Sequence, residues 1–347
     1  MDVPVTAGNP GGSDAVARAV PPAGPPRGRR LRRVVRRTLI TLLTVVVTVT
    51  VAAALVDLTT GTPLPRPAGL TFVEAAGVHT RLVRWGERGT PIVLVHGFAE
   101  NAQVWAPLAT HLSVDHVVYA YDVVGWGYTG QAGGGTKDDE VTQLVGLIAA
   151  LHLDRPVLVG HSAGAAAVAG AALRAPDEVG GVMFLDGDGL DTGAGAGRRP
   201  DLSRAPWSLY STAALRLALR SDALLKKVYA AQCGPDCAPL DQAGLDVWRR
   251  PYRVAGGEAA LFKRLSQPVS GFTADQLSRL AQLPLPKAVV FGQADTVFSA
   301  TAPGETARLI GATPATIVPG GRHLTMVGEP AAVAVAVREL CARAEAA

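Results

Sequence analysis

Three cysteines in 347 residues leave little material for a thiolate metal centre. Cys233-Gly234-Pro235-Asp236-Cys237 holds two thiols close together, but no further ligands stand nearby, which argues against zinc. In an exported chain the two would suit a small disulfide, the alternative being two free thiols, and Cys341 has no partner in sequence. Gly133-Gly134-Gly135-Thr136-Lys137 lacks the spacing of a nucleotide-phosphate loop. No internal repeat is visible, and no cofactor or metal motif. A surplus of positive charge is also missing from most of the chain, despite a pI near 9.1. Eight arginines precede position 38 against Asp2 and Asp14, a net +6, whereas the other 310 residues carry 25 basic and 27 acidic side chains, a net −2. The main body therefore has no basic surplus for phosphate backbones, and a nucleic-acid partner is not expected.

Residues 1–37 are rich in Gly, Pro, Ala and Arg and have almost no large hydrophobes before Leu31. Such a segment cannot offset its ordering entropy by burial, so a disordered basic tail is expected, cytoplasmic by its charge. Thr38–Val56 then runs for 19 residues without a charge. A helix of that length reaches roughly 28 Å, the hydrocarbon thickness of a bilayer. A single-pass anchor over residues 38–57 follows, with the lipid bilayer as partner and the main domain outside. The alternative is a cleaved signal peptide, for which Ala52-Ala53-Ala54 supplies small residues, and a secreted product. Residues 58–70, with Pro63, Pro65 and Pro67, read as a stiff extended linker.

From residue 71 to 347 short β-rich runs alternate with helical stretches. Phe72–Ala76 and Thr80–Trp85 read as an antiparallel pair, and Pro91–Val95 as a strand buried on both faces. Repeated strand–helix units imply an α/β fold with a mostly parallel central sheet and helices on both faces. Residues 191–286 break the rhythm with a glycine-rich link and helix-like segments around Trp207–Ala231, Leu240–Arg249, Gly257–Leu265 and Thr273–Leu280. They read as a helical cap over the strand ends.

The most informative stretch is Gly160-His161-Ser162-Ala163-Gly164, a G-x-S-x-G pattern between a strand and a helix. It presents Ser162 as a nucleophile on a sharp turn. A serine needs a base, and of seven histidines His323 stands in a loop after a late strand, where open α/β sheets gather reactive groups. The base needs a carboxylate to fix its tautomer. Asp295, after the preceding strand, is favoured over Asp186, which also fits the chain order. Oxyanion donors are expected from the backbone N–H groups of Phe98 and Ala163, with His96 bracing the Phe98 loop.

These pieces together resemble the α/β-hydrolase family, in its capped serine-hydrolase form, over about residues 70–347. The matching motifs are His96-Gly97-Phe98, Asp122–Gly127, the Gly160–Gly164 elbow, Asp295 in a Gly-x-x-Asp setting, and Gly321-Arg322-His323 before Glu329-Pro330. The resemblance implies a Ser162–His323–Asp295 triad with Phe98 and Ala163 as oxyanion donors. Ser162 in place of an aspartate argues against an epoxide hydrolase or haloalkane dehalogenase. Asp122 reads as a loop bracket. The expected activity is carboxylic ester hydrolysis through an acyl-enzyme, on a small ester or related acyl substrate. Acyl transfer and cleavage of lactones, amides, thioesters or carbon–carbon bonds use the same machinery, as does perhydrolysis. A non-catalytic cell-surface binding protein of this fold is the alternative of another class.

Overall fold

The computed structural model describes residues 1, 27–129, 135–191, 207–267, 269 and 271–347. Most of the expected tail, and the glycine-rich link that opens the cap, lie outside them. Two compact units are distinguished, residues 1–52 and 53–347.

Helix α1 (Arg27–Thr60) occupies the N-terminal part of the chain. It begins well before position 38 and continues past position 57, so residues 27–37 are helical and not disordered. The reason is local: Arg and Leu are good helix formers, and no glycine or proline interrupts the ladder between Gly28 and Gly61. Its large apolar side chains, among them Leu39, Leu43 and Val46, are exposed. Thr44 and Thr50 donate their hydroxyls to the carbonyls of Ile40 and Val46, at 2.9 and 2.8 Å, which satisfies them within the helix. Arg29–Thr60 is long and apolar enough to cross a membrane.

In the second unit, β1 (Thr71–Ala75) and β2 (Val78–Trp85) form the antiparallel opening pair. Then follow β3 (Pro91–Val95), α2 (Ala106–Leu112), β4 (Val117–Tyr121), α3 (Lys137–Ala150), β5 (Val157–His161), α4 (Gly164–Arg174) and β6 (Gly181–Leu185). The insertion supplies α5 (Ser208–Arg220), α6 (Asp222–Cys233), α7 (Gln242–Arg249), α8 (Gly257–Leu265) and α9 (Ala274–Ser278). The fold closes with β7 (Lys287–Gly292), α10 (Ala302–Ile310), β8 (Thr316–Val318), α11 (Thr325–Gly328) and α12 (Pro330–Glu345). The eight strands order as β1-β2-β4-β3-β5-β6-β7-β8, parallel from β4 to β8.

Apolar residues of β3, β5 and β6 are buried on both faces, because helices cover both sides of the sheet. Leu158, Val182 and Phe184 face one core, and Val157, Val159 and Met183 the other. At about 1.5–3 kcal/mol for each large side chain removed from water, these strands anchor the loops at their carboxyl ends.

Two local readings differ from expectation. The segment Trp207–Ala231 is two helices, broken where the Ser221 hydroxyl accepts from the Leu224 N–H and starts α6. Residues 58–70 do not form a free spacer. Residues 58–60 end α1, and Leu64 pairs in parallel with Val254, its N–H donating to the Arg253 carbonyl at 2.7 Å. Arg216 of α5 bridges Asp57 at 2.5 Å and Glu258 at 2.6 Å. Proline-rich backbone leaves carbonyls and amides unpaired, and the cap satisfies some of them. Cys233 and Cys237 are joined as a disulfide at the end of α6, and Cys341 is buried and free.

Candidate active site

β5 ends at His161 and α4 begins at Gly164, so the chain reverses within two residues. Ser162 sits at the apex with φ 52°, a conformation rare for a residue with a side chain and worth about 1–3 kcal/mol of strain. Its own N–H holds the turn by donating to the Leu185 carbonyl of β6 at 2.9 Å. A Cβ on Gly164 would lie 2.4 Å from the Val95 carbonyl, and one on Gly97 would lie 2.9 Å from the Ser162 Cβ. Only glycine allows the β3 loop and the elbow to approach so closely.

The loop after β8 carries His323 to the same point. Its Nε2 is 3.1 Å from the Ser162 Oγ, and its Nδ1 is 2.9 Å from Asp295 Oδ2. Asp295 follows β7, and its other oxygen accepts the Val297 N–H at 2.6 Å. Sequence reasoning named all three residues, and the fold brings them together across 161 and 28 positions. The arrangement can move a proton from the hydroxyl to the imidazole, because a carboxylate at Nδ1 leaves the Nε2 lone pair facing Oγ.

Asp186 is near but turned elsewhere. Its Oδ1 accepts the Gly292 N–H at 2.7 Å, and its Oδ2 takes a short bond from the Thr325 hydroxyl. Burial pushes its carboxyl up to about 6. It ties the ends of β6 and β7 to α11 and makes no hydrogen bond to the His323 ring.

The amides of Phe98 and Ala163 have no protein acceptor among the described residues. Both residues line the cavity that holds Ser162, and Ala163 opens the N-terminus of α4, where the helix dipole favours negative charge. His96 is fully buried, with Nδ1 2.8 Å from the Gly97 carbonyl and Nε2 accepting the Val123 N–H at 3.0 Å. Those partners fix one tautomer, and burial depresses its pKa, so it braces the loop as a neutral ring. Asp122 accepts from the N–H groups of Ala102 and Tyr128 at 2.7 and 2.6 Å and pairs with Arg81, the bracket expected of it.

Sequence reasoning missed Glu100. Its carboxylate accepts the Gly97 N–H at 2.9 Å and lies 3.0 and 3.1 Å from Nδ1 of His161. The opposite nitrogen of that ring, Nε2, donates to the His323 carbonyl at 2.8 Å. Burial alone would lower the His161 pKa, but the Glu100 carboxylate outweighs it and lifts the ring to about 9. Glu100 is likewise held below its ordinary value, His161 overcoming the cost of burial. No spacing rule links positions 61 apart, so the sequence carried no signal for this pair.

A cavity of about 340 Å³ opens onto Ser162 and His323. Phe98, Ala166, Leu190, Val269, Val297 and Phe298 make it largely apolar, and Glu100, Asp188 and Gln232 add polar atoms. Gln232 and Val269 come from the insertion, so the cap forms part of the wall. Among the described residues, no group of three His, Cys, Asp or Glu could hold a metal ion.

A model of the Alpha/beta hydrolase family matches residues 92–337. A 2-hydroxy-6-oxo-2,4-heptadienoate hydrolase of Pseudomonas putida is 39% identical over 133 residues, 35% of this chain and 48% of that protein, so the match spans about half the relative's length. A 2-(acetamidomethylene)succinate hydrolase of Mesorhizobium japonicum is 26% identical over 253 residues, 70% of this chain and 84% of the relative. The crystal structure of a serine hydrolase of carbazole degradation superposes with a TM-score of 0.62 at 19% identity, over 79% of this chain and 98% of that one. With the family model matching residues 92–337, and with the eight-stranded, mostly parallel sheet already described, the chain belongs to the alpha/beta hydrolase family.

Proposed function

We propose that the protein is a carboxylic ester hydrolase working through an acyl-enzyme. Ser162 attacks the acyl carbon while His323 Nε2 takes its proton, and Asp295 stabilises the imidazolium that forms. The Phe98 and Ala163 amides receive the oxyanion, each such donor being worth roughly 2.7–4 kcal/mol of barrier. His323 returns the proton to the leaving alcohol, and a water then repeats the sequence on the acyl-enzyme. The observation that carries this reading is the unbroken chain from Ser162 Oγ through His323 to Asp295, at 3.1 and 2.9 Å, on the wall of an apolar cavity.

The cavity also bears on substrate charge. Glu100 and the half-buried Asp188 contribute carboxyl groups, and no lysine or arginine stands among the described lining residues. A carboxylate on the substrate would have no cationic partner there, whereas a neutral acyl chain would be matched by Phe98, Leu190 and Phe298. Short and medium p-nitrophenyl esters are expected to be turned over with kcat/KM at least about tenfold above a hemisuccinate ester of equal length, the charge going unpaired. A preference for the anionic ester would reassign the substrate class.

Helix α1 we read as a retained membrane anchor, its arginines cytoplasmic and the hydrolase domain outside. The exposed apolar side chains over Arg29–Thr60 and the eight arginines before position 38 support this topology. After carbonate washing of membranes the protein is expected in the pellet. Recovery of soluble protein beginning near Leu55 would show a cleaved signal peptide instead.

A further inference from the structure

We propose that Glu100 and His161 are positioning residues, a buried charged clasp that holds the Gly97–Phe98 loop and the His323 loop in register around Ser162. The inference rests on the reading of Ser162, His323 and Asp295 as the reacting groups. Its geometry is independent of that reading. Glu100 reaches the first loop through the Gly97 N–H, at 2.9 Å, one residue before the amide assigned to the oxyanion. His161 reaches the second through the backbone carbonyl of His323 itself, at 2.8 Å. The two side chains meet at 3.0 Å, with His161 fully buried and Glu100 nearly so.

The bonding pattern fixes the proton on one side of the ring. A carbonyl only accepts, so Nε2 of His161 carries a hydrogen. Glu100 already accepts from Gly97, and a second proton lies between its carboxylate and Nδ1. With the His161 ring lifted to about 9 and the Glu100 carboxyl held below its ordinary value, that proton rests on Nδ1, so the pair holds one positive and one negative charge out of water, which is costly unless the charges and hydrogen bonds are matched. The other titratable groups around His161 are His96 at the end of β3, Asp186 at the end of β6 and the ring of His323, whose centroid is 4.9 Å away. His96 is neutral and Asp186 is committed to Gly292 and Thr325, which leaves Glu100 as the direct partner. Simple structural support of this region would be met by apolar packing. A matched pair bonded to both loops instead constrains the distance between the oxyanion amide and the base.

The test is kcat per titrated active site, counted with a fluorophosphonate, on p-nitrophenyl butyrate. Glu100→Ala, which cuts both links, is expected to lower that kcat by about 10–100-fold with KM changed less than about threefold, the loss expected of a misplaced reacting group. Glu100→Gln, whose amide can accept from Gly97 and donate to a neutral His161, is expected to recover most of it. A role confined to stability would change the number of titrated sites and leave their kcat at the wild-type value, and that result would overturn the proposal. If Glu100→Ala does not fold, His161→Phe is measured the same way, since it cuts the Glu100–His161 contact together with the link to the His323 carbonyl. Failure of the wild-type protein to label at Ser162 would instead overturn the underlying reading of the triad.

Discussion

Replacing Ser162 by alanine is expected to lower kcat on p-nitrophenyl esters by about 10⁵–10⁶-fold, the range seen when an acyl-transfer nucleophile is removed. The substitution deletes one oxygen whose side-chain partner is His323 Nε2, at 3.1 Å. Alanine keeps the Cβ, so the turn at φ 52° and the Ser162 N–H bond to Leu185 are under the same constraints as before. A melting temperature close to wild type is therefore expected alongside the loss of turnover. Residual hydrolysis above the uncatalysed rate would come from the Phe98 and Ala163 amides, which the variant retains. Activity surviving near the wild-type level would mean that another group attacks.

Asp295→Asn is expected to cost about 10⁴-fold in kcat, through the wrong tautomer and not through lost packing. Asp295 Oδ1 accepts the Val297 N–H at 2.6 Å, and that bond keeps the asparagine oxygen on Val297. The amide NH₂ then faces His323 Nδ1, which must become the acceptor. The ring hydrogen moves to Nε2 and points at the serine it should deprotonate. Asp186→Asn gives the contrast. Its oxygen can still accept from Gly292 and its amide can meet the Thr325 hydroxyl, so turnover is expected to fall by less than about tenfold, consistent with a neutral hydrogen bond of modest net worth. Comparison of the two variants at saturating substrate separates the roles, and a larger loss from Asp186→Asn would exchange them.

Much of the fold was legible because its signals are short-range. Apolar runs such as Pro91–Val95 and Val157–Val159 declared buried strands, and the alternation with helices declared a parallel sheet. The elbow declared itself because a strained turn between β5 and α4 admits few residue types, and a Cβ on Gly164 would lie 2.4 Å from the carbonyl of Val95 in β3. His323 and Asp295 followed from a topological rule, since loops at the carboxyl ends of neighbouring strands must converge. What stayed hidden depends on long-range pairing. The break at Ser221 is a single capping bond inside a continuous amphipathic pattern. The pairing of Leu64 with Val254 joins a proline-rich stretch to a segment of the cap that carries no matching motif. Glu100 looked like any loop carboxylate until the fold set His161 beside it. The choice between Asp186 and Asp295 rested on which oxygen each strand end leaves free, a matter of hydrogen bonds at 2.7 and 2.9 Å that strand order does not specify.

The central claim is that Ser162 is a nucleophile activated by His323. The most direct measurement is reaction of the purified protein with a fluorophosphonate, followed by mass mapping of the modified peptide. The account predicts close to one adduct per chain, on Ser162, slowed by orders of magnitude in His323→Ala. No adduct under conditions that label a control serine hydrolase, or an adduct on a different serine, would contradict it.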